Sequence, residues 1–364
     1  MVTVSLCMIV RDEEQVLARC LDSVADLVDE IVIVDTGSVD STKEIASKYT
    51  KRIYDFEWID DFAAARNTSF SYATMEYVMW LDADDYLKDR DRDKLRELKR
   101  TLSDEVDSVV MAYHLLFDGY GNAIAMSRRN RIVKRSRQFR WYNAVHEYLL
   151  VDGNYYLSDI AVSHGRVHTH TTRNLDILER KLERDGELFG RDMLYYANEL
   201  SDAGKFREAT EHYVRFLDTE ADYFEDSLMA CARLAACYHE MKNEDLKLKT
   251  LLHSMAYDVP RADFCCSIGQ CFADKEQFDK AIYWFKLALT QENPPHHFGV
   301  LNLICWTWFP HFQLCICYGM TGELELAHAH NEKALAYLPR DENLLRNKAL
   351  LEAALASGDG GKGV

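Results

Sequence analysis

Apolar runs of strand length alternate with helix-periodic stretches through the first part of the chain. Thr3 to Val10 reads as a strand. Asp12 is placed to cap a helix reaching about Ala25, with Gln15 completing a capping box. Glu30 to Asp35 is a second apolar run that ends in a carboxylate; Thr36-Gly37-Ser38 turns the chain, and Ser41 with Glu44 opens a second helix. Lys51 to Phe56 predicts a third strand and Asp61 to Thr74 a helix. Tyr77 to Leu81 predicts a fourth strand, running into Asp82-Ala83-Asp84-Asp85. Apolar strands separated by helices imply a parallel sheet covered on both faces. In such sheets the strand C-termini face the ligand crevice, and Asp35, Asp82 and Asp84 all stand there.

From about Ser108 to Val167 the pattern changes to short strands and loops, read as the remainder of the same domain. Beyond Thr171 nearly everything is helix-periodic, and a motif recurs. Gly204-Lys-Phe206-x-x-Ala209-x-x-x-Tyr213 returns as Glu276-Gln-Phe278-x-x-Ala281-x-x-x-Phe285, then as Gly322-Glu-Leu324-x-x-Ala327-x-x-x-Asn331. Small residues (Ala197, Gly269, Cys315) precede each copy at helix spacing. The pattern is similar to tetratricopeptide repeats, paired helices with a period of roughly 34 residues. The first two copies lie about twice that period apart, so a degenerate copy is expected between Ser227 and Met255. Such arrays usually offer a concave surface to a peptide or protein, whereas a plain helical bundle would not.

Composition narrows the partners. A chain of 364 residues is too long for one ordinary core, and five prolines leave little room for a long disordered linker. A formal net charge of −17 argues against nucleic acid and against anionic membrane surfaces. The opening run Val2 to Val10 has strand length, too short to span a membrane. Ten cysteines without metal-ligand spacing, several among apolar residues, fit reduced thiols and a cytoplasmic setting.

Asp82 and Asp84 carry the sharpest chemistry. On an extended strand residues two apart point the same way, so both carboxylates can face one divalent ion. Such an ion would take diphosphate oxygens on its remaining sites. In Asp61-Phe62-x-x-x-Arg66-Asn67, Phe62 and Arg66 share a helix face, and Arg66 can bind a phosphate bidentately or pair with Asp61 at the surface. The basic stretch Arg128-Arg129-x-Arg131 with Lys134-Arg135 either steers a diphosphate or lies on a solvated strand.

Four segments together resemble family 2 glycosyltransferases of the GT-A fold: Cys7-Met-Ile-Val10-Arg-Asp12-Glu13, Ile31 to Thr42, Asp61 to Asn67, and Leu81-Asp82-Ala83-Asp84. With its repeats the chain is similar to the bacterial subset that glycosylates peptides, such as S-glycosyltransferases acting on bacteriocin precursors of the sublancin type. The resemblance implies a GT-A catalytic domain over 1–170, a connecting helix over 171–189, repeats over 190–356 and a flexible tail over 357–364. It implies that Val10, Asp12 and Asp35 line the uridine pocket and that Arg66 holds the donor. Asp82 and Ala83 would lie against ribose or sugar, and Asp84, with Asp82, would bind Mn²⁺ or Mg²⁺. His164 would complete the metal shell, with His168 and His170 as neighbouring alternatives. The pattern Trp141-x-x-x-Val145-His146-Glu147 makes Glu147 the candidate general base for an inverting transfer and leaves Asp85 as a second candidate, with Trp141 either a wall of the site or core.

The implied reaction moves a hexose from a UDP-sugar to a Cys, Ser or Thr side chain of a peptide or protein held by the repeats. A surface polysaccharide or lipid-linked glycan acceptor, or an inactive repeat-based adaptor, are the alternatives. The repeats could equally make a homodimer.

Overall fold

In a computed structural model the chain forms two compact units, Met1–Gly186 and Glu187–Val364. Residues 1–165, 172–219, 223–294 and 297–357 are described; His168, His170 and the tail from 358 onwards lie outside them.

The first unit is built on β1 (Val4–Val10), α1 (Leu17–Asp22), β2 (Glu30–Asp35), α2 (Thr42–Ala46), β3 (Ile53–Asp55), α3 (Phe62–Ser71) and β4 (Tyr77–Trp80). Then come β5 (Asp85–Leu87), α4 (Asp89–Thr101), β6 (Ser108–Phe117), β7 (Ala123–Lys134), β8 (Arg140–Tyr142), β9 (Tyr148–Leu150), β10 (Tyr155–His164) and α5 (Arg173–Asp185). Within this unit the sheet order is β3-β2-β1-β4-β7-β6-β10-β5, and β8 pairs with β9 separately. β1 and β2 are almost wholly buried, as strands covered on both faces must be.

The expected all-parallel sheet is mixed. β3, β2, β1 and β4 are parallel, but β7 runs antiparallel to both β4 and β6. The cause is local: β6 and β7 form one long hairpin, closed where Asp118 accepts the N–H groups of Tyr120 and Asn122.

Asp12 does not cap a helix. Its backbone is left-handed (φ 53°), and α1 starts only at Leu17. The loops after β1 and β2 are instead laced together. Asp12 N–H donates to Ser38 Oγ (3.0 Å) while Asp12 Oδ1 accepts from Val39 N–H (2.8 Å), and Glu13 N–H donates to Thr42 Oγ1 (2.7 Å). Short polar side chains thereby satisfy backbone groups that no helix or sheet serves.

The second unit is all helical in its main elements. Antiparallel neighbours α6 (Gly190–Asp202) and α7 (Phe206–Leu217), α8 (Phe224–Glu240) and α9 (Glu244–His253), α10 (Ala262–Ala273) and α11 (Phe278–Ala288), and α12 (Trp308–Thr321) and α13 (Leu324–Tyr337) pack in pairs, followed by α14 (Glu342–Ser357). α8 and α9 occupy the place of the degenerate copy. The repeated small residues explain the pairing. Ala209, Ala281 and Ala327 are fully buried, and a Cβ on Gly269 would stand 2.9 Å from the Phe285 ring, so the aromatic needs that gap.

Candidate functional site

A cleft of about 290 Å³ opens at the C-terminal ends of β1, β2 and β4. Of the residues singled out in the sequence, Val10, Arg66, Asp82, Ala83, Asp84 and Glu147 line it. Arg11 and Thr36, which lie within the first two family segments, also line it, as do Trp58, Arg173 and Asn174, which carry no motif that would have singled them out. Trp58 stands edge-on to Phe62 with ring centroids 4.8 Å apart, and Arg173 lies 4.7 Å over the Phe62 ring. Phe62 is thus the hub of one wall.

The chain reaches that wall through α3. Asp61 caps the helix by accepting from Ala64 N–H (2.8 Å), so it is not the partner of Arg66. Arg66 is 7% exposed and lies between Trp80 and Trp141, 5.0 and 4.8 Å from their ring centroids. Its Nε donates to Glu147 Oε1 at 2.5 Å and its Nη2 to Asp82 Oδ1 at 2.6 Å. Burial works against the charge of Arg66, but Asp82 and Glu147 outweigh it and hold the guanidinium firmly protonated. Burial likewise opposes ionisation of Asp82, and the charges of Arg66 and Arg131 overcome it, leaving that carboxyl below its usual range.

Trp141 is core: it is buried against Trp80 and Phe70, and the Asn67 amide grips its backbone by two hydrogen bonds of 2.9 Å. The β8–β9 turn that follows carries Glu147 and contains two left-handed residues, Asn143 and His146 (φ 71° and 52°). Phe62 N–H ties it to α3 through Ala144 O (2.9 Å). Non-glycine residues in that conformation store strain of the kind that collects at functional turns.

The acidic segment departs from the strand reading. Asp82 to Asp85 is a tight turn: Asp85 N–H donates to Asp82 O (3.1 Å), and Asp82 N–H donates to Asp85 Oδ2 (3.0 Å). Asp82 and Asp84 thus both reach the cleft from a turn and not from an extended strand. Asp82 turns to Arg66, and among the described residues Asp84, Asp85 and His164 form a cluster able to hold a cation, with ligand atoms within 4.8 Å of one another. Sheet register makes this cluster, because β5 runs antiparallel to β10 and sets His164 opposite Asp85. His164 Nδ1 lies 3.5 Å from Asp84 Oδ2 and 3.0 Å from the Tyr113 hydroxyl. Asp84, a bonding partner beside it, raises the His164 pKa against the opposing effect of burial.

Asp85 is fully buried, does not line the cleft, and so is not placed to take a proton from an acceptor. Its Oδ2 pairs with Arg131 Nη1 at 2.9 Å, while its Oδ1 is buried without a hydrogen-bond partner. Burial pushes its pKa up to about 6 in spite of Arg131. Arg131 is not a solvated steering residue. It too is fully buried, 3.9 Å over the Trp80 ring and 4.5 Å over Tyr113.

Asp12 and Asp35 are not among the residues that line the cleft. Asp35 Oδ1 accepts from Gly37 and Ser38 N–H (3.0 and 2.9 Å), and its Oδ2 is buried and unpartnered. Gly165, directly after His164, lets Arg19 Nη2 reach Gly165 O (2.8 Å) and Asp84 O (3.3 Å); a Cβ there would lie 2.0 Å from that nitrogen.

Comparison with known proteins agrees with this layout. The family model described as "Glycosyl transferase family 2" matches residues 5–151. A TPR repeat-containing protein of Synechococcus elongatus is 38% identical over 154 residues, 42% of this chain and 36% of that protein. The SPbeta prophage-derived glycosyltransferase SunS of Bacillus subtilis is 24% identical over 285 residues, 71% of this chain and 64% of SunS. The chain therefore spans from about a third to just under two thirds of these relatives. Among solved structures, YrrB, titled a TPR protein with an unusual peptide-binding site, aligns over 50% of this chain and 86% of its own with a TM-score of 0.39 and 15% identity. No helix among the described residues is long and apolar enough to cross a membrane. The N-terminal unit matches glycosyl transferase family 2 over residues 5–151, on the mixed sheet of a GT-A fold, and a tetratricopeptide-like helical repeat unit follows it in the same chain.

Proposed function

We propose that the chain transfers a hexose from a UDP-sugar, with inversion, to a Cys, Ser or Thr side chain of a peptide or protein. One observation carries the reading. At the strand C-termini a single cleft brings Asp84, one member of a cluster able to hold a cation, together with an arginine–carboxylate pair, so a diphosphate and a proton acceptor can be served together. The unpartnered Asp85 Oδ1 beside Asp84 and His164 fits a divalent cation, Mn²⁺ or Mg²⁺. Such an ion would stabilise negative charge on the departing nucleoside diphosphate.

The side chains of the protein do the rest. Val10 and Thr36 border the nucleoside end, and the unpartnered Asp35 Oδ2 supplies an acceptor for a base or ribose donor. Arg66 donates to the diphosphate. The acceptor oxygen or sulfur attacks the anomeric carbon, the bond from that carbon to the diphosphate oxygen breaks, and Glu147 takes the acceptor proton. A thiol acceptor needs less help from Glu147, because its pKa is already near neutral. The repeat array supports a peptide or protein acceptor. Ten buried, unpaired cysteines suit a reducing compartment such as the cytoplasm.

The test is donor hydrolysis by the purified protein with UDP-hexoses and Mn²⁺, followed by intact-mass analysis of candidate peptides. Asp84→Ala should abolish both activities. A protein that labels a glycan but no peptide would move the acceptor to a polysaccharide or lipid-linked glycan. A protein that neither hydrolyses donor nor binds UDP would be an adaptor.

A further inference from the structure

We infer that Arg19 is a positioning residue for the cation cluster: its guanidinium locks the turn that carries Asp84 to the end of β10 that carries His164. The inference rests on the site reading above, because it concerns how Asp84, Asp85 and His164 are held at their spacing.

The cluster stands where a strand ladder runs out. β5 and β10 pair antiparallel from Leu87 opposite Val162 to Asp85 opposite His164. One more main-chain bond forms beyond that pair, from Gly165 N–H to Asp84 O at 2.8 Å, before the acidic turn carries the chain away. The end of a ladder opens more readily than its middle, since its last residues are held from one side only. Asp85 and His164 form the last pair, and Asp84 lies one step past it. The spacing of the three side chains therefore depends on what closes that end.

Arg19 closes it. Its Nη2 donates to Gly165 O at 2.8 Å and to Asp84 O at 3.3 Å, so one nitrogen bridges carbonyls on both sides of the ladder. A side-chain donor thereby serves main-chain acceptors that no further strand pairing reaches. The arm comes from α1, which follows the acidic segment along its length. Cys20 Sγ donates to Asp82 O (3.4 Å), Ser23 Oγ accepts from Leu87 N–H (3.1 Å), and the Arg19 guanidinium lies 4.9 Å over the Tyr86 ring. Of these α1 side chains, Arg19 is the one that also grips the residue after His164.

Arg19 does not line the cleft, so it acts through the cluster and not on a substrate. Its charge and its hydrogen bonds pull in opposite directions, which makes the two roles separable. A guanidinium repels a divalent ion, so a residue acting by charge alone would weaken Mn²⁺ binding, and its removal would tighten it. Removal of a clamp does the reverse.

Calorimetry on the full chain measures Mn²⁺ affinity, alone and with UDP present, in about 0.5 M KCl, where the screening length falls to roughly 4 Å and the repulsion is damped. Arg19→Met should raise the Kd for Mn²⁺ on the order of tenfold, the weight of one or two hydrogen bonds. Gly165→Ala keeps every charge, but the new Cβ would overlap the Arg19 guanidinium, whose flexible arm yields; Mn²⁺ should weaken in the same direction. Arg19→Lys keeps a donor without the fork and should fall between wild type and Arg19→Met. Arg19 is exposed, so the metal-free melting temperature of both Arg19 variants should stay within about 2 °C of wild type. Equal or tighter Mn²⁺ binding by Arg19→Met, a Gly165→Ala protein that binds Mn²⁺ like wild type, or a lowered metal-free melting temperature with no change in Kd would overturn the assignment. A wild type that binds no Mn²⁺ in either condition would instead refute the cation-cluster reading on which it rests.

Discussion

Replacing Arg131 by Met tests whether the buried pair beneath the acidic turn supports the site. Arg131 and Asp85 have no exposed side-chain surface and meet at 2.9 Å. Removing the arginine leaves an unpaired buried carboxylate, a loss of about 3–5 kcal/mol in comparable cases. Asp85 can escape part of it by protonation, because burial already raises its pKa to about 6. The sign follows. A carboxyl whose folded pKa lies above its unfolded value binds an extra proton when folded, so its stability contribution declines as pH rises from about 4 through the folded pKa. Loss of Arg131 pushes that pKa higher, and the stability deficit of Arg131→Met should be smaller at pH 5 than at pH 8. The double variant Arg131→Met with Asp85→Asn removes the stranded charge and should recover at least about 2 kcal/mol over the single one, without the pH dependence. Urea unfolding of the three proteins at both pH values measures this. A deficit below about 1 kcal/mol at pH 8, or a double variant no more stable than Arg131→Met, would refute the reasoning.

Two further outcomes follow from the same geometry. Mn²⁺ affinity should rise with pH from about 5.5 to 7.5, since Asp85 and His164, both raised, must lose protons to bind it; calorimetry in buffers of different ionisation enthalpy should show proton release. Asn67→Ala breaks both hydrogen bonds to the Trp141 backbone and should cost about 1–3 kcal/mol of stability, with kcat falling more than KM rises, as thermal melts and initial rates will show.

Much of the architecture is legible because burial periodicity is a local property. The run Glu30 to Asp35 is the whole of β2, and the Phe/Leu-x-x-Ala copies open α7, α11 and α13. Strand direction is another matter: apolar runs look alike whichever way the neighbour runs, so the β6–β7 hairpin and its antiparallel pairings were hidden. Arg131 shows the same limit. In a basic stretch it resembles a solvated residue, and only the strand register turns it inward beneath Trp80 while Arg128 and Arg129 of the same stretch stay half-buried. An extended strand was expected through Asp84, whereas Asp85 closes a turn there and Asp82 pairs with Arg66. Trp58 and Arg173 border the cleft through Phe62, and nothing adjacent in the chain marks them.

The net charge of −17 bears on solubility and distant partners, yet it says little about whether an anionic donor can bind. What decides that is the count within a few ångströms, where screening by water is weakest. Around the cleft the carboxylates outnumber the arginines by one, with Asp85 and Arg131 cancelling behind them. A diphosphate alone would be repelled. A divalent cation beside Asp84 would reverse the local sign. Arg66 keeps its charge throughout, buffered by two tryptophan faces and by Asp82. Under the proposed function, a carboxylate-rich cleft of this kind would take an anionic donor more readily with a divalent cation beside Asp84 than without one.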